Sequence, residues 1–211
     1  MKTTLCLMRH GETDWNVTRR FQGRTDVPLN DRGREQALRS ALFLSQGHYE
    51  HVVSSPLLRA KETAEIIANE LQMGTVTVID ELAERDAGSG TGLTLEEYKN
   101  ADAQSLLSGV ESHDDVRNRA MKVLYVLCER FEGRRIIVVS HGAVINAVLA
   151  ELSGGEVGTG KTILQNVCLN TLHFHHNRWE IESYNRIDHL RKKNGDMLGS
   201  LSDDLDVFYM Q

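Results

Sequence analysis

Two stretches of the chain are apolar without interruption. Leu5 to Met8 lies inside a strand-like run from Thr3 to Met8, and Ile136 to Val139 lies inside Arg135–Ser140. Continuous runs of this length are the mark of strands buried on both faces of a parallel sheet. His51–Ser54 and Val76–Ile79 are two further short strands by the same reading. The segments between them change to helical spacing. Asn30 reads as the cap of a helix reaching about Gln46, and Ser55-Pro56 reads as a cap followed by proline at the first helical position. The helix after Pro56 carries Leu57, Ala60, Ala64, Ile67 and Leu71 on one face. Thr94 and Glu97 form the pattern of a capping box, and Val116, Ala120, Val123, Leu124 and Leu127 line a long helix from Ser112 to Phe131. A helix also follows His141-Gly142 as far as Leu152. Asn170–His175 and Trp179–Tyr184 read as a hairpin turning across His176, Asn177 and Arg178. Strands alternating with helices predict an α/β fold: a three-layer sandwich with a mostly parallel central sheet flanked by helices.

The 211 residues suit a single domain, expected over residues 1–190 with a small cap around 87–112. The tail from 191 to 211, with Asp203, Asp204 and Asp206, is expected to be peripheral or partly disordered. A formal net charge of −6 argues against a long nucleic acid or an anionic membrane surface as partner. It leaves room for a small anionic substrate wherever cations gather. The cysteines, at 6, 128 and 168, form no CxxC pair and fall in apolar or helical stretches. Buried reduced thiols, with no signal-peptide pattern and no membrane-spanning run, point to a cytoplasmic protein. Oligomeric state is not legible.

Chemistry concentrates where strands end. His10 follows the first strand, and His141 follows the Ile-Ile-Val-Val strand. Ligands of open α/β sheets bind beyond the carboxyl ends of strands, so these two histidines are expected to converge. Arg9 precedes the first, Arg59 starts a helix that itself follows a strand, and Glu84 follows the third strand. This set suits phosphoryl transfer. A neutral imidazole attacks phosphorus, and arginines clamp phosphate oxygens in a bidentate fork. A carboxylic acid delivers a proton to the leaving oxygen and then takes one from water. Neighbouring arginines disfavour a charged His10, and a bound phosphate dianion disfavours a charged Glu84.

The residues that carry this chemistry form blocks with a known resemblance. Leu7-Met8-Arg9-His10-Gly11-Glu12-Thr13, then Trp15-Asn16 and Phe21-Gln22-Gly23, resemble the signature of the histidine phosphatase superfamily, the phosphoglycerate mutase-like proteins. Ser54 to Ala64, Leu82-Ala83-Glu84-Arg85-Asp86 and Val139-Ser140-His141-Gly142 are similar to its later blocks, in family order. The resemblance implies a phosphoglycerate mutase-like fold and a phosphohistidine at His10. It implies a phosphate pocket completed by Arg9, Arg59 and His141, with Glu84 as proton donor. Asn16, Gln22, Gly23 and Gly142 are then expected to bind substrate, and neither metal nor cofactor is expected. One departure lies after Asp86. The family usually has an aromatic residue there, then glycine; this chain has Ala87-Gly88-Ser89-Gly90-Thr91. A smaller loop is expected to widen the substrate side. About thirty residues separate Glu84 from Asp115, little for a lid, so hydrolysis is favoured. The alternatives are a phosphoglycerate mutase, an α-ribazole phosphatase, and a non-catalytic module that grips phosphorylated partners. The compact form resembles the small broad-specificity phosphatases of Gram-positive bacteria.

Other signals have plainer readings. Gly155 to Thr162 matches the P-loop pattern letter for letter, yet a helix precedes it and no clear helix follows, so it reads as a surface loop. Gly88, Gly90 and Gly92 lack the context of a dinucleotide loop. His173, His175 and His176 have no evident carboxylate or cysteine to complete a metal site and read as half-exposed strand residues. His48, His51, His113 and His189 read as surface residues.

Overall fold

The computed structural model describes residues 1–101 and 108–190. The tail from 191 and part of the expected cap, 102–107, lie outside the described residues. Six strands form one sheet: β1 (Thr3–Arg9), β2 (His51–Ser54), β3 (Thr77–Val78), β4 (Arg135–Ser140), β5 (Leu169–His175) and β6 (Arg178–Arg186). Their order is β3-β2-β4-β1-β5-β6. β3, β2, β4 and β1 run parallel, and β5 and β6 complete the sheet antiparallel.

The uninterrupted apolar runs are the two central strands. Side chains alternate between the faces of a strand. Leu5, Leu7, Ile136 and Val138 therefore enter one core, whereas Cys6, Met8, Ile137 and Val139 enter the other. Each residue from Ile136 to Val139 is fully buried, which stabilises the fold by roughly 1.5–3 kcal/mol per side chain. α2 (Asp31–Leu44) and α3 (Leu58–Glu70), named after the short α1 (Asp14–Val17), supply the second core. Of the helices that follow α4 (Leu95–Asn100), α5 (His113–Arg130) and α6 (Gly142–Leu152) supply the first. This is the expected three-layer α/β sandwich. β1 and β4 lie side by side, but the helices leading on from them cover opposite faces. The carboxyl ends of β1 and β4, where those helices part, are the place where open α/β sheets form a ligand crevice.

Caps follow the sequence closely. Asn30 accepts from the Gly33 N–H, Ser112 from the Asp115 N–H, and Thr94 and Glu97 form a reciprocal capping box. The hairpin turns on His176 and Asn177 alone, both at positive φ, with Arg178 already in β6. Three expectations need correction. α3 starts at Leu58 with Leu57 as its cap, so Ser55 and Pro56 precede the helix. The Ser55 hydroxyl is committed elsewhere, as shown below. The third strand is two residues long and exposed, because it borders only β2 at the sheet edge. α2 becomes a 3-10 turn at Ser45–Gly47 before reaching its expected end.

The histidines also differ from expectation. His173 is buried, between Thr4 Oγ1 at 3.1 Å and Glu182 Oε2 at 2.7 Å, so a carboxylate does meet it. His51 stacks on Phe131, and His189 reaches Ser40 Oγ at 3.0 Å. The P-loop-like stretch is a turn in which the Lys161 ammonium donates to the Gly155 carbonyl at 2.6 Å. That spends the cation a P-loop would aim at phosphate. Among the described residues no helix is long and apolar enough to cross a membrane, and no group of three histidine, cysteine or acidic side chains is arranged to hold a metal ion.

Candidate active site

The chain leaves β1 at Arg9 and β4 at Ser140, which are register partners. His10 and His141 therefore enter the crevice together. Their ring centroids lie 5.2 Å apart. The His10 N–H still donates to the Ser140 carbonyl at 3.0 Å, and the Ser55 N–H to Val139 at 3.0 Å. Three strand ends are thus stitched together just before the side chains diverge.

His10 is 2% exposed, and its two nitrogens are distinguished by their partners. Nδ1 lies 2.7 Å from the Gly11 carbonyl, which can only accept. Nε2 receives Arg59 Nε–H at 3.3 Å. Both contacts call for the same neutral tautomer, with the proton on Nδ1 and the lone pair on Nε2. Burial pushes the His10 pKa well below 6.5, and the Arg59 and Arg9 guanidinium groups push it further the same way. The expected repulsion from arginine is present, but desolvation is the larger cause.

Arg59, the second residue of α3, is fully buried. Three of its bonds go to neutral acceptors: Nη1 to the Thr25 carbonyl at 2.8 Å, Nη2 to Gly23 at 2.8 Å, and Nε to His10. A guanidinium fixed at the strand ends presents the donor geometry that suits the oxygens of a phosphate. Arg9 reaches across to the Leu164 carbonyl and is 6% exposed.

His141 is the cap of α6 but leaves the capping to others; its ring turns to Ser55, with Nε2 and Oγ 2.7 Å apart. Its Nδ1 is buried with no hydrogen-bond partner among the described residues. Burial, then Arg59, His10 and the more distant arginines, hold its pKa well below 6.5. Glu84 is also buried. Oε1 accepts from the Arg85 N–H at 2.8 Å, and Oε2 lies 3.4 Å from the Ala143 N–H in the first turn of α6. All five residues expected to form the centre are therefore buried around the ends of β1, β2 and β4.

The expected substrate-binding residues line the same region in different ways. Gln22 is buried, and its Oε1 has no hydrogen-bond partner among the described residues. The Asn16 Oδ1 serves structure, accepting from the Thr13 N–H at 3.0 Å in the cap of α1. Gly23 has φ +47°, and a Cβ there would meet Ala87 N at 3.1 Å. Gly142 opens α6. The loop after Asp86 is packed: Ala87 pairs with Val110, and Phe21, Ala87, Leu95 and Tyr98 form a small apolar cluster. From sequence, Ser55 reads as a helix cap, and Asn166, whose Nδ2 donates to the His10 carbonyl at 3.0 Å, carries no signal of a place in this site. Nothing local marks either one, because each partner is more than 80 residues away.

Comparison with known proteins bears on the family and the fold. A model of the histidine phosphatase superfamily (branch 1) matches residues 5–187. The chain is 38% identical to an uncharacterised phosphatase, PhoE, of Bacillus subtilis, over 89% of this chain and 97% of that protein. It is 34% identical to a metal-independent phosphoserine phosphatase of Arabidopsis thaliana, over 89% of this chain and 83% of that one. The solved structure of Bacillus stearothermophilus YhfR superposes with a TM-score of 0.81 at 27% identity, covering 89% of this chain and 98% of its own.

Proposed function

Because the chain belongs to the histidine phosphatase superfamily, whose members act as phosphatases or mutases, we propose that it is a hydrolase of small phosphate monoesters working through a phosphohistidine on His10. The observation that carries this reading is the Nε2 lone pair of a neutral, buried His10 beside the Arg59 guanidinium. A nucleophile facing a fixed cation meets phosphorus while the cation takes the charge of the equatorial oxygens.

In the first step His10 Nε2 forms the N–P bond as the ester P–O bond breaks. Glu84 gives its proton to the leaving oxygen. In the second, Glu84 takes a proton from water, the water oxygen bonds to phosphorus, and the N–P bond breaks to release phosphate. Arg9, Arg59 and His141 hold the phosphoryl oxygens, with Gly142 and the first turn of α6 adding a helix N-terminus that favours an anion. Asn16, Gln22 and Gly23 complete the substrate side. About thirty residues separate Glu84 from Asp115, little for a lid, so water is taken to reach the phosphohistidine. Hydrolysis over mutase activity rests on that access. The cysteines are thiols deep in the fold, in keeping with a cytoplasmic setting.

The substrate class is tested by measuring phosphate release from phosphoserine, 3-phosphoglycerate and glycerol phosphate. Isomerisation of 3-phosphoglycerate is followed in parallel with 2,3-bisphosphoglycerate present. Release of phosphate without isomerisation is expected. Isomerisation with little phosphate formed would establish the mutase instead.

A further inference from the structure

Among the described residues nothing hydrogen-bonds the buried Nδ1 of His141, and the residue on the ring's other side accounts for this. Ser55 and His141 are both fully buried. Ser55 leaves β2 with its N–H bound to the Val139 carbonyl, which fixes its backbone one residue from the end of β4. Its Oγ accepts from the Leu57 N–H at 3.2 Å and lies 2.7 Å from His141 Nε2. Among the described residues the hydroxyl proton meets one acceptor, that nitrogen. Were Nε2 the protonated atom instead, the Ser55 proton would be buried with no acceptor, a loss of the kind folded proteins avoid. With the hydroxyl donating, the neutral ring carries its proton on Nδ1.

Resting on the phosphatase reading of the site, we propose that Ser55 is a positioning residue that sets the tautomer of His141, so that Nδ1–H is held ready to donate to an oxygen of the bound phosphoryl group. The opposite tautomer would set a ring lone pair against the oxygen lone pairs of the phosphate. A neutral ring is required for Ser55 to exert this choice, and the burial and cationic surroundings of His141 keep it neutral near pH 7. His10 and His141 then take complementary parts. Each has its proton on Nδ1, but in His10 the Gly11 carbonyl takes that proton and leaves Nε2 to attack. In His141 a serine takes Nε2 and leaves Nδ1 to donate.

The test uses the full chain labelled with nitrogen-15 at histidine, with the His141 signals assigned by their loss in His141→Gln. In the unsubstituted protein, long-range proton–nitrogen correlation is expected to show Nδ1 protonated and Nε2 as the bare nitrogen. Ser55→Ala is expected to lose that single tautomer and to bind orthovanadate about tenfold more weakly, as one lost hydrogen bond to an anion implies. Ser55→Thr, which keeps the hydroxyl, is expected to restore both. A bare Nδ1 in the unsubstituted protein overturns the proposal, whatever the variants do. So does a Ser55→Ala protein that keeps both the Nδ1–H tautomer and the vanadate affinity. Neither readout involves turnover, so failure of the hydrolase reading would appear separately, as absence of phosphate release.

Discussion

Arg59 Nε donates to Nε2 of His10 across 3.3 Å, so the most deeply buried cation of the crevice is aimed at the one lone pair proposed to attack phosphorus. The contact selects the tautomer, opposes protonation of the ring and marks where the phosphoryl group enters. Removing it touches all three. Arg59→Ala is expected to lower kcat/KM by roughly 10²–10³, the scale of losing one aligned donor to transition-state charge. Arg59→Lys should recover only part, because an ammonium cannot reach Gly23, Thr25 and His10 at once. Steady-state kinetics on a single monoester checks both.

The acid limb of activity carries the same signature. The His10 pKa lies well below 6.5, so kcat/KM should hold as pH falls through 6.5 and decline only at lower pH. In Arg59→Gln the second-largest cause of that depression is gone, and the acid limb is expected to move up. A pH–rate profile of the two proteins decides this; an unmoved limb would mean that His10 does not set it.

Stability should follow pH through the same groups. The His10 and His141 pKa values lie well below 6.5 in the fold, and burial takes His189 down to about 4. A depressed pKa means that the unfolded chain binds more protons below 6.5, so folding stability is complete above that pH and falls as pH drops towards the folded values. Each histidine contributes a slope of about 1 kcal/mol per pH unit in that window. Urea midpoints at pH 7.0, 5.5 and 4.5 should decline in order, and His189→Gln should flatten the upper part of the decline.

The proton donor is tested by leaving group. Glu84→Gln is expected to lose roughly 10²–10⁴ in kcat on an alkyl phosphate. The loss should be much smaller on p-nitrophenyl phosphate, whose leaving oxygen departs without a proton. An equal loss on both would remove Glu84 from the acid role.

Gly23 ties the substrate side to the phosphate side. Its carbonyl holds Arg59, its φ is +47°, and Ala87 lies against it. Gly23→Ala should destabilise the protein by roughly 1–2 kcal/mol, through left-handed strain and a tight contact with the Ala87 backbone. A fall in Tm of a few degrees checks the magnitude, and a lowered kcat on the same sample shows that Arg59 has shifted.

Much of this was legible from residue order because the signals were local. The runs around Leu5 and Ile136 announce buried strands, and Asn30, Thr94 and Ser112 cap the helices that follow them. The convergence of His10 with His141 followed from parallel strands sharing one carboxyl edge. What stayed hidden depends on contacts between distant residues. Ser55 looks like a helix cap, yet its hydroxyl serves a histidine 86 positions away. His173 looks like a half-exposed strand residue until β1 brings Thr4 and β6 brings Glu182 against it. The brevity of β3 was equally invisible, since pairing to β2 alone is a property of the sheet rather than of Val76–Ile79.

The central claim is a covalent phosphoryl group on His10. The most direct measurement mixes the enzyme with a phosphorus-32-labelled monoester, stops it within milliseconds in alkali, which preserves phosphohistidine, and maps the label. Label on the peptide containing His10, absent in His10→Ala and released on brief acid treatment, is the predicted result. A label elsewhere, or full turnover by His10→Ala, would contradict the account.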